Sequence, residues 1–216
     1  MSNTSALKRI RDRRQEQWML RNHDAYFLQR VKVSQDLVDK DRVQTLASFC
    51  RDQRVLHLGC ADWPITDPKR NLHVQLDSTC AALDGLDVNT EAFAQLQPLI
   101  RGRLFNDWAQ VNDSYDLILA PEVLEHVDDF RGFLRKMSAI DAPRALISVP
   151  DAYQCFAQHF HYAPGSETFF EAVHPDHNCW FTPYTLQNTI QKYSSFRVEN
   201  MWFFNRISLL AMLSRA

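Results

Sequence analysis

The alternation of short apolar segments with amphipathic ones constrains the fold of this chain more than any other sequence feature. Between residues 54 and 152, five apolar segments have the length of strands, and candidate helices separate most of them. Strands that alternate with helices pair in parallel, because each helix returns the chain through a right-handed crossover. Segments such as LILA and ALISV are apolar at every position, which is typical of strands buried on both faces of a sheet. The predicted strands are 54–58, 81–88, 99–107, 115–123 and 144–152.

Two more strand candidates, 196–204 and 207–214, follow near the end of the chain, and the two residues between them predict a tight antiparallel hairpin. We therefore expect one α/β domain over residues 34–216, with a mostly parallel seven-stranded sheet and an antiparallel C-terminal strand pair. The aromatic and histidine-rich segment 153–181 is too long for a plain connection, so we predict an insert or lid. The predicted helices are 34–50, 72–80, 90–99, 126–140 and 182–196.

Composition argues against several classes of partner. The chain has 216 residues and a formal net charge of −2, so its overall charge does not favour a nucleic acid or an anionic membrane. No apolar run approaches the roughly 20 residues that a membrane-spanning helix needs, and the first residues lack the apolar region of a secretory signal. The five cysteines are scattered and contain no C-x-x-C pair, which indicates reduced thiols and a cytoplasmic protein.

Residues 1–33 are predicted to form a basic N-terminal helical arm. Between Lys8 and Lys32 there are eight basic and three acidic residues, a net charge of +5. Two interpretations stay open. The arm is either a solvated helix or an electrostatic contact for an anionic substrate or partner.

The loop after the first predicted strand carries a single glycine. Ligands of a parallel sheet bind at the carboxyl ends of the strands, and this end reads VLHLGCADWP, with Gly59 after the strand. A dinucleotide-binding G-x-G-x-x-G loop would need glycines where Ala61 and Pro64 stand. Gly59 alone allows one sharp turn and the close approach of a ligand to the backbone. The loop therefore disfavours a pyrophosphate cofactor and tolerates a cofactor without phosphates.

Four segments, in the expected order, resemble the class I S-adenosylmethionine-dependent methyltransferases. They are VLHLGC, GLDVN, YDLILAPEVLEHVDDFRGFLRKM and RALISVP, and they extend over about residues 35–152. The resemblance implies a Rossmann-like three-layer sandwich, a transferase, and S-adenosyl-L-methionine as the cofactor. The cofactor-binding residues that it implies are Gly59, Cys60, Ala61, Asp62, Trp63, Asp87, Val88, Asn106, Asp107, Pro121 and Glu122.

The family pattern also implies roles for these residues. Asp87, at the end of the second strand, matches the acid that binds the ribose, and a carboxylate can accept hydrogen bonds from both ribose hydroxyls. Asp107 stands where the family contacts adenine, and the neighbouring Trp108 could stack on the base. Pro121 and Glu122 follow the fourth strand, where the family lines the donor pocket. His57 occupies a strand position at which the family usually has an acid, and we expect a core histidine that bonds a backbone carbonyl.

Methyl transfer to a hydroxyl requires a base, and histidine is the side chain best suited to that role near neutral pH. We predict His174 or His177 as the base with Asp176 as its orienting partner, and His126 as a further catalytic candidate. The segment HPDHNCWFTPYTL is similar to one found in family members that modify sugars and glycans. It implies a small or sugar-like acceptor, with oxygen favoured over nitrogen, in glycan or secondary-metabolite biosynthesis.

Two histidine patterns raise the question of a metal. His159-x-His161 and His174-x-x-His177-x-Cys179 offer ligands for a transition ion, but their spacings match no closed zinc module, and we expect no bound metal. Two alternative functions stay open. The +5 arm favours a nucleic-acid methyltransferase, and the glycine-poor loop favours a non-catalytic protein of the same fold that binds a cofactor or a partner.

Overall fold

The computed structural model describes residues 3–62, 67 and 69–216, so Trp63 lies outside the described residues. The α-helices within them are α1 (Asn3–Asn22), α2 (Arg42–Cys50), α3 (Leu72–Asp77), α4 (Phe93–Leu96), α5 (Phe130–Ala139), α6 (Ala152–His159) and α7 (Pro183–Tyr193). The strands are β1 (Ser34–Leu37), β2 (Arg54–Leu58), β3 (Ala82–Leu86), β4 (Leu104–Phe105), β5 (Leu117–Pro121), β6 (Arg144–Pro150), β7 (Phe160–Ala163), β8 (Thr168–Glu171), β9 (Phe196–Phe204) and β10 (Ser208–Arg215). Short 3-10 helices lie at Thr90–Ala92, Gln97–Leu99, Trp108–Gln110 and Leu124–His126.

The chain divides into two compact units, residues 1–31 and residues 32–216. The first unit consists of α1 and the turn that follows it. Its helix carries basic side chains, and Trp18 packs its ring edge-on against His23, with the two ring centroids 5.7 Å apart. Among the helices that the structure describes, none combines the length and the apolar composition needed to cross a membrane.

The second unit contains an eight-stranded sheet in the order β1-β9-β10-β6-β5-β2-β3-β4. Strand β10 is antiparallel to both of its neighbours, β6 and β9, and the other pairs are parallel. The structure confirms the predicted α/β fold with its mostly parallel sheet. Strands β7 and β8 form a separate antiparallel hairpin within the segment 153–181.

The sheet has one strand more than predicted, because residues 34–50 are not a single helix. Strand β1 pairs in parallel with β9 at the edge of the sheet, and helix α2 begins only after Asp41. The Asp41 side chain accepts a hydrogen bond of 2.8 Å from the backbone N–H of Gln44, which is the N-cap arrangement. This cap was the overlooked signal that the apolar residues before it belong to a different element.

The C-terminal strand pair is confirmed as a tight hairpin. Asn205 and Arg206 both have positive φ angles, 41° and 68°, and the N–H of Ile207 donates to the carbonyl of Phe204 at 3.2 Å. Two successive left-handed residues give the turn the twist that antiparallel strands require. The predicted third strand shrinks to the two residues of β4, and the predicted helix 90–99 is a series of short turns around α4.

The central strands are buried on both faces, as their uninterrupted apolar sequences predict. Every residue of β5 is buried, and so are the last four residues of β2. One continuous cluster of side chains from the sheet packs against Leu46 of α2 and Leu76 of α3, both fully buried. The buried sheet thus holds the carboxyl ends of β2, β3 and β5 in fixed positions, and the loops at those ends form the candidate site.

Candidate active site

A pocket of about 780 Å³ lies at the carboxyl ends of the central strands. This volume is in the range of small-molecule and cofactor sites. Most of the residues that the sequence nominated meet in this one pocket. The predicted residues that line it are Gly59, Asp62, Asp87, Val88, Asn106, Asp107, Pro121, Glu122, His126, His174 and Asp176.

Three predicted residues of the described chain do not line the pocket. Cys60 and Ala61 belong to the loop after β2 but are buried, with 0% and 3% of their surface exposed. The backbone of Ala61 still contributes, because its N–H donates to Asp87. His177 lies beside the pocket in contact with the ring of His126. Trp63, the remaining candidate, is outside the described residues.

Gly59 and Asp87 fix the loops after β2 and β3. Gly59 has a φ of +77°, and a Cβ there would lie only 2.6 Å from Cγ2 of Val123, so glycine is required at this position. The Asp87 carboxylate accepts one bond of 2.8 Å from the N–H of Ala61 and another of 2.8 Å from the N–H of Asn89. These two bonds hold the carboxylate between the loops, and each oxygen keeps a further lone pair for a ligand hydroxyl.

The loop after Gly59 is tied down by residues at the start of α3. The Nδ2 group of Asn71 donates to the carbonyls of Cys60 and Ala61, at 3.1 Å in each case. Asp62 has a φ of 55°, and its carboxylate accepts a bond from the N–H of Leu72 at 3.1 Å. Burial raises the pKa of Asp62 above its usual value. Side-chain bonds from Asn71 and Asp62 thus hold residues 60–62 of this glycine-poor loop against the start of α3.

Glu122 follows β5 in a strained left-handed conformation, with a φ of 54°. Its carboxylate accepts a bond of 2.6 Å from the Ser148 hydroxyl of the adjacent strand β6. Burial raises the pKa of Glu122, although the Ser148 bond opposes that shift. Strained backbone of this kind is typical of functional sites, where the surrounding structure maintains it.

Glu125, three residues further along the chain, is fully buried. Neither of its carboxylate oxygens has a hydrogen-bond partner among the described residues. Burial, together with the negative charge of Glu122, raises the pKa of Glu125 to about 9, so Glu125 is protonated at neutral pH. Glu125 was not among the site residues predicted from the sequence.

The far end of the pocket is aromatic. The rings of Trp108 and Phe133 meet edge-on with their centroids 5.5 Å apart, and both side chains line the pocket. Asp107 caps the short helix Trp108–Gln110 by accepting a 2.9 Å bond from the N–H of Ala109. This leaves Asp107 one carboxylate oxygen for a ligand beside an aromatic surface.

Helix α5 contributes a pocket wall that sequence reasoning missed. Asp129, Gly132, Phe133 and Lys136 all line the pocket. Their spacing of three, four and seven residues is that of one helix face. The sequence signal for this wall is the pair of charged residues, Asp129 and Lys136, at the two ends of the helix face.

The catalytic candidates form a compact group at one side of the pocket. Nδ1 of His126 lies 3.0 Å from a carboxylate oxygen of Asp176. The His126 ring centroid is 4.5 Å from that of His177 and 5.3 Å from that of His174. The expected pairing of the Asp176 carboxylate with His174 or His177 is corrected, since the carboxylate bonds His126. Burial and the two neighbouring histidines lower the pKa of His177 to about 4, so it stays neutral at pH 7.

His57 is buried as predicted, but the expected bond to a backbone carbonyl is wrong. Its Nδ1 lies 3.2 Å from Nδ1 of His73, and the two rings stack with their centroids 5.3 Å apart. Both residues are almost inaccessible to solvent. Burial lowers the pKa of both rings, that of His73 to about 4. The pair lies beneath the loop after β2, and neither ring is among the pocket-lining residues.

The segment 153–181 is anchored at both of its ends. Ala152 donates its N–H to the carbonyl of Phe181 at 2.9 Å, and Asp151 donates to the carbonyl of Ile207 at 2.8 Å. Between these anchors lie α6 and the hairpin of β7 and β8. The hairpin side chains Tyr162, Phe169 and Phe170 are all more than half exposed.

Comparison with known proteins decides the family. A family model described as a methyltransferase domain matches residues 32–200. The chain belongs to this methyltransferase family. Membership confirms the predicted class I S-adenosylmethionine-dependent enzyme and, with it, S-adenosyl-L-methionine as its cofactor. Among curated proteins, none matches the chain.

Solved structures with the same fold include three methyltransferases. One, an S-adenosylmethionine-dependent methyltransferase from Clostridium acetobutylicum, has 12% identity and a TM-score of 0.57 over 84% of this chain and 93% of that one. The magnesium protoporphyrin IX methyltransferase of Synechocystis, with bound SAH, has 14% identity and a TM-score of 0.55 over 81% and 82%. The N-methyltransferase NodS of Bradyrhizobium japonicum, with SAH, has 16% identity and a TM-score of 0.51 over 81% and 84%.

The charge of the pocket suits the cofactor of this methyltransferase. S-Adenosyl-L-methionine carries a sulfonium cation and an ammonium group, and an acidic lining is complementary to both. Among the described residues that line the pocket, Lys136 is the single lysine or arginine. The acidic lining residues are Asp62, Asp87, Asp107, Glu122, Asp129 and Asp176.

Proposed function

We propose that this methyltransferase transfers a methyl group to a hydroxyl oxygen of a small or sugar-like acceptor, with His126 as the base. The observation that carries the proposal is the bond of 3.0 Å between His126 Nδ1 and the Asp176 carboxylate at the wall of the pocket. A base whose second nitrogen is held by a carboxylate is the arrangement that orients an imidazole for proton transfer.

The strand ends would hold the cofactor along the pocket. Asp87 would accept hydrogen bonds from its ribose hydroxyls, and Asp107 with Trp108 would contact its adenine. Glu122 and Asp62 are acidic groups on the β2 and β5 side, suited to the cationic amino-acid end. When bound, the cofactor supplies an activated methyl group on a sulfonium.

The chain's own residues then have two tasks. The first is alignment, which accounts for much of the acceleration of a displacement on an activated donor. The second is removal of the hydroxyl proton, which Nε2 of His126 would accept while Nδ1 keeps its bond to Asp176. An amine acceptor that is already neutral needs no such base, so this pair favours oxygen over nitrogen.

The acceptor would bind between the histidines and the segment 153–181, which we propose acts as a lid or substrate wall. Tyr162, Phe169 and Phe170 of the hairpin present exposed aromatic surface. Aromatic side chains offer a large contact area with little loss of conformational entropy. This supports a ring-shaped acceptor such as a sugar and is consistent with a role in glycan biosynthesis. The acidic lining of the pocket disfavours a polyanionic nucleic acid.

Two measurements test the proposal. Calorimetry should show binding of S-adenosyl-L-methionine and of its demethylated product, SAH. Formation of SAH should then be followed with a panel of hydroxylated sugars and phenols and a matched panel of amines. We expect turnover on hydroxyl acceptors. Turnover confined to amines would contradict the proposed acceptor atom, and binding without turnover on either panel would favour a non-catalytic protein.

A further inference from the structure

Three histidine side chains from two distant parts of the chain meet beside the pocket. His126 belongs to the short helix Leu124–His126, and His174 and His177 lie on a turn about 50 residues later. One potential ligand atom from each of the three lies within 4.8 Å of the others, and the three side chains are half-buried. His126 and His174 also line the pocket, so the group borders open space.

The fold holds the two segments together independently of the histidine rings. Asn178 donates its backbone N–H to the carbonyl of Glu125 at 2.8 Å. Its side-chain Nδ2 donates to the carbonyl of His126 and to Asp128, both at 3.2 Å. Within the turn, the N–H of His177 donates to the carbonyl of His174 at 3.0 Å. Bonds that do not involve the histidine rings therefore hold the two segments together, so that only ring rotations separate the present arrangement from a metal site.

We propose that His126, His174 and His177 bind a divalent transition-metal ion, with Zn²⁺ as the best fit. Three imidazole ligands and an open fourth position are a zinc arrangement typical of catalytic sites. Imidazole nitrogens at zinc bond lengths lie about 3.3 Å apart, so ring rotations must shorten the present spacing. Asp176 bonds the other nitrogen of His126, as the outer carboxylate of a histidine–metal site does.

Two details favour an ion over a purely structural cluster. Nδ1 of His177 is buried and has no hydrogen-bond partner among the described residues. Buried ring nitrogens normally have one, and an ion would satisfy it. Nδ1 of His174 accepts only a long bond of 3.3 Å, from the N–H of Asp176, which an ion could replace or reorient at little cost.

The ion site differs from the one that the sequence spacing suggested. His126 joins the two histidines of the H-x-x-H pattern, whereas Cys179 is outside the group. His159 and His161 also stand apart, since His159 bonds the carbonyl of Ala172 at 2.8 Å and His161 stacks on Phe170. Because Nδ1 of His126 bonds Asp176, the ion would occupy Nε2, the nitrogen proposed above as the base. With the ion bound, the hydroxyl would instead lose its proton to solvent, because coordination lowers its pKa. Metal binding itself does not depend on that proposed function.

Cobalt titration of the untagged protein tests the site directly. After treatment with a chelator, the protein should bind one equivalent of Co²⁺ and develop the visible absorption of nitrogen-coordinated Co²⁺, which Zn²⁺ should displace. The His174→Asn/His177→Asn variant should lose the absorption and the stoichiometric binding. Asp176→Asn should weaken binding by about 10- to 100-fold, the usual effect of removing an outer carboxylate.

The matched control is His159→Asn/His161→Asn, which removes two histidines that lie outside the group, at the end of α6 and in β7. It should bind Co²⁺ like the unaltered protein. Equal loss in both double variants, or no stoichiometric binding by the unaltered protein, would overturn the proposal. Circular dichroism and SAH binding in the same samples show whether each variant is folded. A protein that binds SAH without Co²⁺ refutes only the metal site, and one that binds Co²⁺ without turnover refutes only the acceptor chemistry.

Discussion

The proposed cofactor side of the pocket consists of residues 59–62, 87–89 and 106–108, and its histidine side consists of residues 124–126 and 174–178. The two sides are built in different ways. On the cofactor side, loops after successive parallel strands are joined by short bonds, such as that from Ala61 to Asp87. On the histidine side, a long insert returns to the strand ends and docks through Asn178. The first arrangement follows from the sheet, and the second depends on contacts between distant segments. Variants should therefore separate cofactor binding from proton transfer.

The largest effect should come from His126→Gln. This change keeps a polar side chain but removes the group that accepts the hydroxyl proton. We expect the rate of methyl transfer to fall by about 100-fold or more, which is the usual contribution of general base catalysis. The dissociation constant of SAH should stay unchanged, because the cofactor side remains intact. Single-turnover rates and calorimetry measure the two quantities.

The control for this prediction is His23→Gln in the first compact unit, outside the pocket-lining residues and the proposed lid. It should leave both quantities as they are. If His126→Gln weakened SAH binding as much as it slowed turnover, the two sides of the pocket would not be separable.

The second effect concerns Asp87→Ala. Removing this carboxylate deletes two backbone hydrogen bonds between loops as well as the proposed ribose contacts. The loss of even one charge-assisted bond costs about 1.5–3 kcal/mol, so the SAH dissociation constant should rise by at least about 10-fold. His57→Asn should weaken SAH binding less, because His57 is not among the pocket-lining residues. The opposite order, measured by calorimetry, would show that the first motif has been misinterpreted.

The sheet and the cofactor side were predictable because their signals are local. Uninterrupted apolar segments mark buried strands, and Gly59 and Asp87 stand at fixed positions after two of them. Edge strand β1 escaped prediction because its pairing with β9 is set by a partner more than 160 residues away. The docking of Asn178 escaped for the same reason, because its partners lie about 50 residues away. The bond between His57 of β2 and His73 of α3 escaped because it depends on how the helix packs against the strand. His126, His174 and His177 were each predicted as catalytic candidates from residue type, but which ring Asp176 bonds depends on the turn geometry.

The third prediction concerns the His57–His73 pair beneath the cofactor side. Both pKa values are lowered by burial, so the unfolded chain binds more protons than the folded one below pH 6.5. The contribution of the two neutral histidines to the free energy of unfolding should be complete above pH 6.5 and should decrease as the pH falls towards 4. The loss should be about 1.4 kcal/mol per histidine for each pH unit. Asp77 and Asp84 oppose the shift of His73, and Arg42 adds to that of His57.

Urea unfolding at several pH values measures this dependence. The His57→Leu/His73→Leu variant replaces both hydrogen-bonding partners by apolar groups and should lose less stability between pH 6.5 and pH 5. Replacing the exposed His161 by Leu serves as the control. Parallel curves for the double variant and the unaltered protein would mean that the pair carries no pH dependence.

The smallest effect should come from Asn178→Ala, which weakens the docking of the histidine turn. The variant loses two side-chain bonds of 3.2 Å but keeps the backbone bond to Glu125. Both bonds are long and exposed, so each contributes at the lower end of the usual range, about 0.5 kcal/mol, and turnover should fall by about fivefold. The SAH dissociation constant should not change.

Asn112→Ala is a matched control on the cofactor side. Its Nδ2 group also donates two long bonds, both of 3.3 Å, to the carbonyls of Ala109 and Gln110. We expect a small change in SAH binding and none in the rate of transfer from the saturated enzyme. The two asparagines thus lose similar bonds on opposite sides of the pocket. Both variants could instead change the SAH dissociation constant and leave the rate of transfer unaltered. The turn that carries His174 and His177 would then support cofactor binding, which would contradict the proposed proton-transfer role of His126.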